Sequence, residues 1–137
     1  MKRLFALVIM LSLILGSIVQ VYGAETIKIG LVTPLTGSVA SFGQSVDKAV
    51  RMAVDEINSK GGLLGMKIEL IVEDNQSKAE ESANIVRKFI EQDKVVAILG
   101  PVISSNTLAA APIAQQSKVP LLSPTSTNPK VTQIGDY

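Results

Sequence analysis

The chain of 137 residues contains no cysteine, no histidine and no tryptophan, and only 4% of it is aromatic. Without Cys or His it cannot build a disulfide framework, a thiolate or imidazole metal site, a cysteine nucleophile or a histidine-based triad. Charge is sparse as well, at 18%, and balanced, with 13 basic against 12 acidic residues. Lys2 and Arg3 are two of the basic ones and every acidic residue follows Ala24, so the body carries a net charge of −1. Such a body has no field to draw it onto nucleic acid or an anionic membrane, and no basic patch interleaved with aromatics is visible. The 47% of apolar residues suffices for one globular unit or part of one.

Part of the apolar content belongs to the first segment. Residues 1–23 place Lys2 and Arg3 before an apolar run from Leu4 to about Val19 and end in Val21-Tyr22-Gly23, the three-part layout of a secretory signal peptide cleaved after Gly23. The alternative is an uncleaved anchor, but the run is shorter than the ~20 residues that span a bilayer comfortably. No Cys near the cut offers a lipid attachment point, so residues 24–137 are expected free in the periplasm.

The body alternates strand and helix. Residues 26–33 form a β-rich run closed by Pro34, followed by a Gly, Ser and Thr-rich loop. From Gln44 to Lys60 the apolar positions Val46, Ala49, Val50, Ala53, Val54 and Ile57 recur at helical spacing, and Gly61-Gly62 stops them. Residues 67–73 begin by alternating polar and apolar, which suits an edge strand. Ser77 and Glu80 have capping-box spacing ahead of a second helix reaching about Gln92. Val95 to Leu99 is continuously apolar, as a central strand should be, and leads into Gly100-Pro101. Ser104 or Ser105 can cap a third helix to about Ser117, with Pro112 expected to kink it. A fourth strand, Val119 to Leu122, precedes a loop of turn-formers, Ser123 to Pro129. This repetition predicts an α/β fold, a doubly wound parallel sheet of strand order 2-1-3-4. Four strands with three helices leave part of one face uncovered, as in the first part of a larger lobe.

In such sheets ligands bind beyond the carboxyl ends of the strands, where strand order reverses. The three loops expected there are uncharged: residues 29–46, 95–117 and 119–129 contain no Asp, Glu, Lys or Arg. They offer hydroxyls and the N-terminus of the third helix, which together suit an anionic group such as a small carboxylate without any Lys or Arg. General acid–base chemistry needs a titratable group, and none stands in these loops, so catalytic residues and a metal site are not expected. Taken singly, each loop also reads as a plain helix cap or turn. Phe42 fits a core aromatic and a ligand-facing wall equally. The glycines at 61, 62 and 65 follow a helix and precede a strand, the reverse of a phosphate loop. Glu73 and Asp74 read as a solvated strand end.

The stretches Ile27 to Gly37, Phe42-Gly43-Gln44, Ala53 to Gly62, Glu73-Asp74-Asn75, Gly100-Pro101 with Ser104-Ser105, and Pro120 to Pro129 resemble, in order, the amino-terminal part of type I periplasmic binding proteins, most closely the leucine/isoleucine/valine-binding branch. The resemblance covers nearly all of residues 27–137. It implies two hinged α/β lobes that close on a ligand and deliver it to the membrane permease of an ABC transporter, with no cofactor, a monomer when full length, and this chain as most of lobe one. It places Ser104 on the ligand carboxylate, Thr125 and Thr127 on the carboxylate and ammonium, and Phe42 in the side-chain pocket. Ser105 and Ser126, in the same loops, complete the candidate set. A thiol found after the first loop position in some relatives is Ile103 here. Residues deciding between an amino acid and an amide- or urea-type solute would belong to the other lobe. Two other classes share the fold: an extracellular sensor domain of a receptor, and a secreted flavodoxin-like enzyme with catalytic residues further along.

Overall fold

A computed structural model describes residues 25–137; the signal-peptide expectation for residues 1–23 lies outside the described residues. Four strands, β1 (Thr26–Thr33), β2 (Lys67–Asp74), β3 (Ala97–Leu99) and β4 (Leu121–Leu122), form one parallel sheet in the order β2-β1-β3-β4. Between them run α1 (Ala40–Ser59), α2 (Ala79–Lys88) and α3 (Ser104–Gln116). The order is the one expected from the alternation of elements. β1 pairs with β2 along its whole length, from Thr26 opposite Lys67 to Thr33 opposite Asp74, and with β3 from Ile29 to Leu31. The chain therefore leaves β1 towards β2 and returns across it to β3, so the direction of winding reverses between β1 and β3.

Alternation along β1 decides which helix covers which face. Val32 joins Ile85, Val86, Phe89, Val95, Ile98, Ala110 and Ala114 in the core beneath α2 and α3. The neighbouring Thr33 points the other way, and its hydroxyl donates to the Gly43 carbonyl of α1 at 3.2 Å. On that second face Asn58 of α1 holds Ile68 of β2 through its carboxamide, donating to the carbonyl at 2.9 Å and accepting the N–H at 2.8 Å. Val46, Val50 and Val54 of the predicted stripe are only half-buried there, and Ile57 is exposed. Leu122 of β4 is 66% exposed, so the apolar surface presented on the sheet exceeds what the three helices cover.

Several local expectations shift for definable reasons. α1 begins at Ala40, a turn earlier than Gln44, because the Gly37 and Val39 carbonyls already accept the N–H groups of Ala40, Phe42 and Gly43. α2 continues as a π-helical turn, Phe89–Asp93, closed by Lys94 in the left-handed region at φ 59°. Val95, expected to open β3, instead donates its N–H to the Phe89 carbonyl at 3.1 Å, and the strand ladder starts at Ala97. Likewise Val119 donates to Ala114 at the end of α3 at 3.0 Å, which shortens β4 to two residues. α3 runs unbroken through Pro112, which lies on the solvent side of the helix, where a carbonyl released from its partner can turn to water.

Phe89, fully buried, is the hub of the core, and Gly30 of β1 exists in its service. A Cβ at Gly30 would lie between 2.5 and 2.9 Å from three ring atoms of Phe89. Gly30→Ala is therefore expected to destabilise the fold by about 1–3 kcal/mol through overpacking, and Phe89→Ala by about 3–5 kcal/mol through the cavity it leaves. The double variant should lose less than the sum, since the smaller side chain makes room for the new methyl. Urea unfolding of the four proteins checks this; strict additivity would mean that Gly30 and Phe89 do not constrain each other.

Candidate functional site

The carboxyl ends of β1, β3 and β4 carry the three uncharged loops. Between β3 and α3 the chain makes the turn Gly100 to Ile103, with the Gly100-Pro101 bond cis and both residues buried. α3 then starts with Ile103 as its N-cap residue, and no side chain caps it. Neither Ser104 nor Ser105 takes the expected capping role; the Thr107 N–H makes the first bond of the helix, to the Ile103 carbonyl, and the N–H groups before it keep their anion-attracting character.

Ser104 is used otherwise. Its Oγ accepts the N–H of Thr127 at 3.2 Å and that of Asn128 at 3.3 Å, tying the loop after β4 to the start of α3. A hydroxyl has two lone pairs and one proton. Both lone pairs of Ser104 are thus engaged, and its O–H is left as a donor. Thr125 shows the reverse pattern: its hydroxyl donates to the Val102 carbonyl at 2.7 Å, which leaves lone pairs to accept. Thr127 commits its N–H to Ser104, while its side chain is exposed.

Beneath them lies a supporting layer of hydroxyls. Ser123 Oγ is 2.6 Å from both the Pro101 carbonyl and Ser126 Oγ, and accepts the Ser126 N–H at 3.1 Å. Thr107, fully buried, lies 2.8 Å from Ser126 Oγ and 3.2 Å from the Pro101 carbonyl. Ser126 is consequently absorbed into the scaffold and does not offer a free hydroxyl. Ser105 is exposed and donates to the side-chain oxygen of buried Asn106 at 3.3 Å. Ser104, Ser105, Thr125, Ser126 and Thr127 therefore gather where α3 meets the loop after β4. A cavity of about 460 Å³ opens beside them, with Leu122, Ser126, Thr127, Asn128 and Tyr137 in its wall.

Phe42 stands apart from this group, on the first turn of α1 at the end of β1. Of its two sequence readings, the core position does not hold: the residue is 63% exposed and lines, with Ser41 and Ser45, a shallow cavity of about 200 Å³.

Two residues at the end of β2 and just after it, Asp74 and Ser77, bond otherwise than the sequence suggests. Ser77, expected to cap α2, has φ 62° and leaves the N-cap position to Lys78. Its hydroxyl instead accepts the Val39 N–H at 3.3 Å and donates to the Thr36 carbonyl at 3.2 Å. Asp74, read as a solvated strand end, accepts four hydrogen bonds: from the N–H of Leu35 at 2.8 Å, of Thr36 at 3.2 Å and of Gln76 at 2.8 Å, and from the Thr36 hydroxyl at 2.6 Å. Desolvation works to raise its pKa, but the hydrogen bonds from Thr36, Gln76 and Leu35 together outweigh it and hold the carboxyl below its usual value. Neighbouring Glu73 faces the opposite side of the sheet and pairs with Lys88 at 2.8 Å. Only proximity in space links Asp74 and Ser77 to the first loop, about forty residues earlier in the chain, and no short-range pattern announces it.

Comparison with known proteins matches this arrangement to a family. The family described as "Periplasmic binding protein" matches residues 26–134. An "Amino acid binding protein" of Pseudomonas aeruginosa is 31% identical over 137 residues, which is 98% of this chain and 36% of that protein. The crystal structure of a leucine binding protein, LivK, from Thermotoga maritima superposes with a TM-score of 0.73 at 42% identity, over 78% of this chain and 30% of that one. The branched-chain amino acid transporter substrate binding protein LivJ of Streptococcus pneumoniae, solved with isoleucine, gives a TM-score of 0.78 at 40% identity, over 80% and 31% respectively. The chain thus spans about a third of the length of the relatives it matches. Its strand order, its uncharged switch-point loops and the match over residues 26–134 agree, and the chain belongs to the periplasmic binding protein family.

Proposed function

We propose that residues 24–137 form part of lobe one of an exported solute-binding protein that captures an amino acid, of the branched-chain type, for an ABC-type membrane permease. The observation that carries this is the hydrogen-bonding state of Ser104. With both lone pairs taken by the Thr127 and Asn128 N–H groups, its hydroxyl is left to donate, beside an uncapped helix N-terminus. A carboxylate is the group that such a set of donors selects, and it needs no Lys or Arg to hold it. Thr125 and Thr127 contribute acceptors suited to the ammonium of the same ligand, and exposed Phe42 supplies an apolar wall for its side chain. The bound leucine, isoleucine or valine leaves unchanged, because these loops contain no group able to take or give a proton near neutral pH. The relatives named for leucine and solved with isoleucine support the same ligand class.

Hinge closure follows as the mechanism. Lobe one binds the backbone end of the ligand on preformed donors, a second lobe closes over it, and the closed form is what the permease recognises. The second lobe would supply the remaining ammonium contacts and the selectivity among side chains.

Ser104→Ala in the complete gene product should weaken leucine or isoleucine binding about tenfold, with the midpoint of urea unfolding little changed. Calorimetry checks this, and an unaltered dissociation constant would remove Ser104 from the ligand's contacts. Export makes a separate prediction: protein recovered from the periplasm should begin at Ala24 by mass spectrometry. A protein still carrying the apolar run from Leu4 and sedimenting with membranes would instead mark that run as an anchor.

A further inference from the structure

The β1–α1 loop, Leu35 to Val39, sits at the point where strand order reverses, and beyond its carbonyl bonds to the first turns of α1 it is held from outside. It carries no charge, it is largely exposed, and α1 beyond it has no side-chain cap. Its order comes from the neighbouring β2–α2 connection. Asp74 takes the N–H groups of Leu35 and Thr36 and the hydroxyl of Thr36, while Ser77 bridges the Thr36 carbonyl and the Val39 N–H. Gly37, at φ 87°, passes so close to the Gln76 backbone that a Cβ there would collide with its carbonyl. Gln76 and Ser77 are both held in the left-handed region, at φ 54° and 62°, which side chains other than glycine's disfavour. Two successive residues in that conformation mark a connection shaped for what it holds and not for its own ease.

We propose that Asp74 is a positioning residue for ligand binding, fixing the Leu35–Val39 loop, and through it Phe42 on the first turn of α1, before the ligand arrives. The inference rests on the ligand-binding role assigned above to these loops. Asp74 touches no ligand itself. Its Oδ1 accepts three N–H groups and its Oδ2 the Thr36 hydroxyl, so both carboxylate oxygens are bonded to the backbone and side chain that they position. A loop held in place beforehand loses little freedom on binding, which is how such a residue raises affinity from a distance.

The test compares the complete gene product with its Asp74→Ala, Asp74→Asn, Thr36→Val and Glu73→Ala variants. Calorimetry with leucine, isoleucine and valine reads affinity, and amide hydrogen exchange reads residues 35–42 without ligand. Asp74→Ala should weaken binding by about tenfold or more, and Thr36→Val, which deletes one of the hydrogen bonds, by about threefold. Asp74→Asn retains an oxygen for the three N–H groups and should stay within about threefold of the parent. Glu73→Ala, which loses the Lys88 pair on the other face, should bind as the parent does. Exchange at residues 35–42 should accelerate in Asp74→Ala and not in Glu73→Ala. Unchanged affinity in Asp74→Ala, or an equal loss in Glu73→Ala, overturns the proposal. Should Asp74→Ala fail to fold, Thr36→Val decides: parental affinity with parental exchange overturns it, weaker binding with faster exchange supports it. A parent that binds none of the three amino acids refutes the amino-acid assignment; exchange then judges Asp74 alone, acceleration confined to residues 35–42 supporting its hold on the loop and unchanged exchange overturning it.

Discussion

The pairing of β1 with β2 on one side and β3 on the other governs the rest of the molecule. Parallel neighbours cannot be joined by tight turns, and each crossover must be right-handed, so a chain that winds first one way and then the other must put α1 on one face and α2 with α3 on the opposite face. The loops leaving β1 and β3 then diverge and leave a crevice at the carboxyl ends. Gly30, in the middle of β1, lets the Phe89 ring settle directly on the sheet at this junction. One missing Cβ thus permits the close approach of α2 on which the position of β3, and so of α3, depends.

At the crevice the molecule uses neutral groups almost throughout. Hydroxyls in the loops after β3 and β4 bond first to backbone carbonyls and to one another: Thr107, Ser123 and Ser126 around Pro101, Thr125 to Val102. Each such bond stabilises modestly, but a linked set at the edge of the interior leaves few unpaired groups, whose desolvation would cost more than any single bond returns. The same bonds dictate what the outer hydroxyls have to spare. Ser104 is turned into a donor because its lone pairs are filled, Thr125 into an acceptor because its proton is spent. Residues of nearly the same type thus offer opposite hydrogen-bonding capacities, as the proposed site requires.

The larger features were legible in the sequence because they depend on composition averaged over whole elements. Apolar spacing located three helices, a continuous apolar run marked β3 as interior, and the uncharged intervals at 29–46, 95–117 and 119–129 pointed to the crevice. What escaped were choices between near-equivalent hydrogen bonds. Ser77, Ser104 and Ser105 all stood where a cap belongs, and none caps: for Ser77 and Ser104 groups of a distant loop compete on equal terms with the helix's own, and Ser105 turns to the side chain of adjacent Asn106. The strand ends at Val95 and Val119 moved for the same reason, each N–H being claimed by the preceding helix. Asp74 does stand at a strand end, but its bonds to the first loop escaped, since Leu35 and Thr36 lie 39 and 38 residues back along the chain and become neighbours only after β1 and β2 pair in register.

That register links folding to the proposed site. Thr33 lies opposite Asp74, so the last rung of the β1–β2 ladder delivers the carboxylate to the base of the first loop. A slip by one residue would turn the Asp74 side chain to the face where Glu73 meets Lys88, and would leave the N–H groups of Leu35 and Thr36 without their acceptor. The alternation of β2, which needs Ile68 towards α1 and Ile71 against the core beneath α2, opposes such a slip. The placement of a few exposed hydrogen bonds is in this way enforced by hydrophobic burial. A site made of weak, neutral interactions can be sharply defined because the core beneath it allows only one alignment.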